Sequence, residues 1–148
     1  MPFDDAHDRQ PLEQNSGAPF VDAILNAIKG EAAAVDFYGR LAEAAPNAAM
    51  RDRILSIRRD EQDHFHLFSR LYEPFTEVQA SVPITAVAFG SFSNGLRIAY
   101  RDELNDYETY RNLYLNTQAL TTRNILLRAF TDEIKHAVRF GFMTVSLV

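Results

Sequence analysis

Two stretches with one skeleton, Asp60-Glu61-x-x-His64 and Asp132-Glu133-x-x-His136, stand 72 positions apart in this 148-residue chain. The same offset carries the segment 31–41 onto 103–113 without a gap. Glu31 meets Glu103, Tyr38 meets Tyr110, Leu41 meets Leu113, and acidic Asp36 meets Glu108. Periodic packing alone would have repeated leucines, but most of the residues repeated here are polar. The chain therefore reads as two copies of one unit, each with a Glu thirty positions ahead of a Glu-x-x-His.

Apolar spacing predicts four helices. The first spans about Pro19 to Ala45, with Ile24, Ile28, Val35 and Leu41 on one stripe and Pro46 to end it. The second spans about Asn47 to Glu73, with Ile54, Ile57, Phe68 and Leu71, and stops before Pro74. A third runs from about Asn94 to Thr117 and a fourth from about Thr122 to Ser146. Very short turns join the first to the second and the third to the fourth, so each pair forms an antiparallel hairpin. Residues 74–95, with two prolines and two glycines, read as a long connection between the hairpins. The expected fold is all-α: an antiparallel four-helix bundle of two helical hairpins joined by a long crossover. Residues 1–18 are polar and aperiodic and are expected to be a flexible tail, leaving 19–148 as a single bundle domain. His7 lies in that tail.

Within each ExxH, three residues turn a helix through about 300°, so Glu and His share one side. Glu61 and His64 lie beside Ile57 and Phe68. Glu133 and His136 lie between Ala129 and Phe140. Glu31 falls in the stripe of Ile24, Ile28 and Val35, and Glu103 falls with Ala99, Tyr100 and Tyr107. Four carboxylates and two imidazoles thus point into the apolar interior, while Arg58, Arg59 and Lys135 fall elsewhere on their helices. Unpartnered buried carboxylates cost several kcal/mol each, and neighbouring ones repel. Positive charge must come from outside the chain. Two divalent cations balance four carboxylates, and oxygen and imidazole donors suit iron or manganese. The metal set read from the sequence is Glu31, Glu61, His64, Glu103, Glu133 and His136.

Tyr38 and Tyr110 each follow a set Glu by seven residues, about 20° off its axis. They are candidates to hydrogen-bond a ligand carboxylate across the bundle, or else plain core aromatics. His66, about 140° from Glu61, faces outward and is left off the site.

Composition excludes several alternatives. The chain has no cysteine, hence no disulfide, thiolate iron centre or thiol chemistry. A net charge of −5 without a basic cluster argues against nucleic acid as a partner. No apolar run reaches 18 residues, so no membrane span is expected, and the N-terminus lacks a secretory pattern. A cytoplasmic setting is expected.

The stretch from about 20 to 146 resembles the ferritin-like superfamily, most closely the di-iron domain of rubrerythrins. Glu31 with Phe37-Tyr38, Glu61-x-x-His64, Glu103 with Tyr110, and Glu133-x-x-His136 carry the resemblance. It implies two iron ions (or manganese), with neither haem nor flavin. It also implies Glu61 and Glu133 as bridges, one His on each ion, and Glu31 and Glu103 as terminal ligands. Rubrerythrins often carry a second acid three residues after the third-helix Glu. That position is Asp106 here, either an alternative ligand or base, or a helix-surface Asp. Reduction of hydrogen peroxide or dioxygen is the activity implied first, in a homodimer. Full rubrerythrins carry a cysteine-bound iron module that this chain lacks, so electrons would need a separate electron-donor protein, or the iron would be consumed as the reductant. A ferroxidase and iron-storage role of the bacterioferritin type is the alternative. Two features weaken it: Gln62 stands where those proteins place a haem-binding Met, and the sequence given stops soon after the fourth helix. A manganese catalase-like role is a third option.

Overall fold

The computed structural model describes residues 17–75, 80 and 82–147; most of the expected tail, His7 included, lies outside them. Four long helices account for nearly everything else: α1 (Ala18–Glu43), α2 (Ala48–Tyr72), α3 (Phe92–Leu115) and α4 (Leu120–Val145). No strand occurs among the described residues.

Local chemistry sets the boundaries. Pro19 sits in the first turn of α1, where its missing N–H costs nothing. Asn47 caps α2 by accepting from the Met50 N–H at 3.0 Å. Ser91 caps α3 by accepting from Asn94 at 3.1 Å, which starts that helix two residues before the sequence pattern suggests. α2 ends in a 3-10 turn at Glu73–Phe75, at Pro74. α4 also begins two residues early, without a side-chain cap. Its Arg123 clasps the preceding loop instead, donating to the Thr117 carbonyl at 3.0 Å and stacking on Tyr114 at 4.1 Å.

Contacts across the bundle fix the topology. Arg58 of α2 donates to the Val35 carbonyl of α1, and Gly141 of α4 lies against Tyr100 of α3, so both hairpins are antiparallel. Tyr38 meets Glu103 and Tyr110 meets Glu31, which makes α1 antiparallel to α3. α2 and α4 cross in the same sense, through His64 with Asp132 and His136 with Asp60. The two hairpins are therefore related by a pseudo-twofold axis, which is the sequence repeat in three dimensions. Residues 82–89 run without helix along α1, tied there by Arg40 Nη1 donating to the Val87 carbonyl at 2.9 Å and by Phe89 edge-on to Phe37.

The core is in two parts. Phe37, Leu41, Ile54, Ile57, Leu96 and Phe140 are among the residues filling one end. Ile24, Ile28, Phe68, Leu126 and Ala129 are among those filling the other. Full burial of such side chains contributes roughly 1.5–3 kcal/mol each. α3 packs tightly on α1 at Gly95, where an added Cβ would lie 2.5 Å from Leu41 Cδ1. Between the two clusters lies a layer that is not apolar at all.

Candidate metal centre

That layer holds Glu31, Glu61, His64, Glu103, Glu133 and His136, each at most 2% exposed. α1 and α3 bring one Glu apiece, and α2 and α4 bring a Glu-His pair apiece. The donor atoms fall into two groups, each with its atoms within 4.8 Å of one another: Glu31, Glu61, His64 and Glu133, and Glu61, Glu103, Glu133 and His136. Glu61 and Glu133 belong to both. Geometry alone thus defines two adjacent positions sharing two carboxylates.

The imidazoles aim their Nδ1 atoms inward. His64 Nδ1 lies 3.1 Å from Glu133 Oε1 and 3.4 Å from Glu61 Oε2. His136 Nδ1 lies 2.8 Å from Glu61 Oε1 and 3.1 Å from Glu133 Oε2. Despite these short separations, Glu61 Oε1, His64 Nδ1 and Glu133 Oε1 have no aligned hydrogen-bond partner. His136 Nδ1 and Glu133 Oε2 align as a hydrogen bond, but at the three atoms without one the donors converge on common points rather than on each other. Native interiors rarely leave buried polar atoms in that condition unless an ion or water belongs there. The donor set, carboxylate oxygens and imidazole nitrogens without sulfur, fits a pair of hard or borderline divalent cations.

Each arm of the site is held from behind. Tyr38 donates to Glu103 Oε1 at 2.5 Å, and Tyr110 donates to Glu31 Oε1 at 2.7 Å. Each tyrosine ring leans on a phenylalanine, Tyr38 on Phe140 at 5.0 Å and Tyr110 on Phe68 at 4.9 Å. On the opposite face His64 Nε2 meets Asp132 Oδ2 at 3.1 Å, and His136 Nε2 meets Asp60 Oδ2 at 3.0 Å. An imidazole that donates from Nε2 to a carboxylate keeps the Nδ1 lone pair for the centre of the site. Asp60 and Asp132 are the functional residues that the sequence reading passed over. Their signal was present, since both stand in the repeated skeleton.

Burial works against every charge here. It drives the Glu31 and Glu103 carboxyls well above their usual range, and the neighbouring carboxylates Glu61 and Glu133 add to the rise. It also opposes the imidazolium form, but the surrounding carboxylates outweigh it. Asp132, Glu133 and Glu61 push His64 up to about 12, and Glu103, Glu133 and Glu61 raise His136 as well. Glu61 goes the other way: burial would raise it, yet His136 and His64 draw it down to about 2. With protons as the only cations, the cluster gathers protons to offset its charge. Metal ions compete for the same atoms.

Asp106 stands outside both groups. Burial, reinforced by Glu133, Glu61 and Asp102, lifts its carboxyl to about 7. His66 is exposed on the outer surface.

A four-helix bundle with this cluster defines a dinuclear metal-carboxylate protein of the ferritin-like fold. The family model for rubrerythrin matches residues 22–143, and the chain belongs to that family. An uncharacterized protein, YhjR, of Bacillus subtilis (strain 168) is 32% identical over 130 residues, covering 88% of this chain and 90% of its own. Among solved structures, KatB, a manganese catalase from Anabaena, superposes with a TM-score of 0.76 at 21% identity, over 99% of this chain and 81% of that one. A second structure, of wild-type KatB, gives 0.73 over the same coverage. At that identity the likeness establishes the fold. No described helix is long and apolar enough to cross a membrane.

Proposed function

We propose that the cluster holds two redox-active divalent ions, iron first, and that the loaded protein reduces hydrogen peroxide in preference to dioxygen. The observation that carries this reading is the set of three unpartnered buried atoms in a six-residue cluster that has no buried Lys or Arg to balance it. Glu61 and Glu133 would bridge. Glu31 with His64, and Glu103 with His136, would complete one position each. Two such ions, when bound, supply the two electrons that convert one peroxide to two waters.

The chain's own residues do the rest. Asp60 and Asp132 fix the imidazoles, and Tyr38 and Tyr110 fix the terminal carboxylates. The two apolar clusters exclude bulk water from both ends. Asp106, with its carboxyl near 7, can hold a proton on a carboxylate oxygen at neutral pH and release it beside the site. Repeated turnover calls for an electron donor outside residues 1–148, which hold no cysteine to bind an iron-thiolate centre.

A second reading, peroxide disproportionation with manganese, draws on the fold shared with KatB. It needs no electron donor, because one peroxide reduces what another oxidises. Loading the protein with Fe(II) or Mn(II) and adding peroxide separates the two. Oxidation of the iron form by peroxide faster than by dioxygen, without oxygen release, supports the first. Sustained oxygen release by the manganese form supports the second. Faster oxidation by dioxygen with growth of a mineral core would replace both with iron storage.

A homodimer joined through α4 is part of the proposal. The outer face of α4 carries Leu120, Leu127, Ile134, Val138, Phe142 and Val145 in one stripe, four of them at least 60% exposed. Monomers rarely expose a contiguous apolar patch beyond a few hundred Å², and a stable dimer needs about 800 Å² per partner. An isologous α4–α4 contact would bury this stripe against its own copy. Light scattering on Val138→Glu/Phe142→Glu should show a monomer where the parent chain is a dimer.

A further inference from the structure

The two side faces of the bundle differ. On the α2–α4 face the aspartate–histidine pairs close the wall, and Lys135 is tied to Asp132 over it. On the α1–α3 face the helices touch least of all the neighbouring pairs. Two cavities, of about 520 and 270 Å³, lie end to end along that seam. Tyr110 lines the larger and Tyr38 the smaller. Each cavity is therefore one hydroxyl away from a cluster carboxylate, Glu31 in one case and Glu103 in the other.

Among the described residues, only Gly30 and Asp106 line both cavities. Gly30 is in the middle of α1, where glycine is less stable than alanine. No backbone demand explains it, because no described glycine has positive φ. Packing does not explain it either: an added Cβ would find nothing nearer than Tyr110 Oη at 4.0 Å. The pseudo-twofold axis sharpens the point. Its counterparts in the other hairpin exchange small for acidic, Gly30 matching Asp102 and Ala34 matching Asp106. All four line the smaller cavity. The repeat that holds so closely at the cluster is broken here, leaving α1 bare opposite two acids on α3. The space so kept lies one tyrosine hydroxyl from a cluster with three unpartnered buried atoms.

We propose that the α1–α3 seam is the entrance through which a small polar oxidant, of the size of hydrogen peroxide, reaches the cluster, and that Gly30 and Asp106 form its threshold. The inference rests on the dinuclear reading above. Side chains at position 30 set the width of the passage, and a large one closes it.

Azide association with the iron-loaded, oxidised protein, followed by absorption, tests this without turnover. The series Gly30→Ala and Gly30→Leu is compared with Ala33→Leu, which narrows the smaller cavity. Ala32→Leu serves as the control, in the surface depression between α1 and α2 beside Gln62 and His66. Gly30→Leu should slow association at least tenfold while retaining two ions per chain. Gly30→Ala and Ala32→Leu should stay within twofold of the parent. Equal rates for the parent and Gly30→Leu, with both ions held, would overturn the entrance and leave the dinuclear reading intact. A parent chain that binds fewer than two ions would remove that reading and the entrance with it. If Gly30→Leu does not fold, Ala33→Leu decides: slowed association supports the entrance, and an unchanged rate overturns it.

Discussion

The α1–α2 hairpin sends Tyr38 to Glu103 and Asp60 to His136; the α3–α4 hairpin returns Tyr110 to Glu31 and Asp132 to His64. Even the rings behind the tyrosines correspond, Phe140 for one and Phe68 for the other. Away from this layer the hairpins diverge. Ile57 matches Ala129, Phe65 matches Ala137, and Arg58 matches Phe130. The difference teaches which positions answer to the cluster and which answer only to packing. Core sites accept many apolar residues of about the right volume, whereas a side chain whose oxygen must reach one point accepts almost none. Identical polar pairs across the pseudo-twofold axis thus gather at the site, although matches such as Leu41 with Leu113 and Arg51 with Arg123 lie outside it.

The comparison can be broken most forcefully at the shared carboxylates. Glu61→Ala and Glu133→Ala should each abolish two-ion binding, whereas Glu31→Ala, which strips one group only, should leave one ion bound. Calorimetric titration with Mn(II) reads the stoichiometry, and equal losses from all three variants would refute the shared role. Next come Asp60→Asn and Asp132→Asn. Each should weaken metal binding about 10- to 100-fold, and by similar factors, because each frees one imidazole. An effect confined to one of them would end the symmetry. Tyr38→Phe and Tyr110→Phe remove one buried hydrogen bond each and should cost about 1–2 kcal/mol in the metal-free protein. For a chain of this size that lowers the melting midpoint by roughly 2–8 °C.

The smallest effect lies where the symmetry is already broken. Asp106 has its carboxyl raised from 3.8 to about 7, so the folded chain binds this proton more tightly than the unfolded chain does. Its contribution favours folding below pH 4 and is lost as pH rises toward 7. Asp106→Asn should flatten the fall in melting temperature of the metal-free protein between pH 5 and 7. An unchanged slope would show that Asp106 does not carry this titration.

Much of this was legible in the chain. Helical periodicity gave all four helices, with Pro46 and Pro74 closing the first two, and the offset between Glu61 and Glu133 then matched one hairpin to the other. Burial of Glu and His on apolar stripes then brought the six cluster residues to one layer. Less legible were the starts of α3 and α4, which depend on the Ser91 cap and on Arg123 reaching back over a loop. The pairing of Asp60 and Asp132 with the histidines was missed for a different reason. Each aspartate serves the opposite helix, and periodicity along one helix says nothing about what its edge meets across the bundle. The α1–α3 seam was invisible for the same reason, since Gly30 acquires meaning only beside Asp106.

Anomalous diffraction from crystals grown with Mn(II) would locate the ions themselves. Two peaks per chain should appear, both within bonding distance of Glu61 and Glu133, one beside His64 Nδ1 and the other beside His136 Nδ1. A single peak, or peaks only at surface carboxylates, would contradict the dinuclear reading.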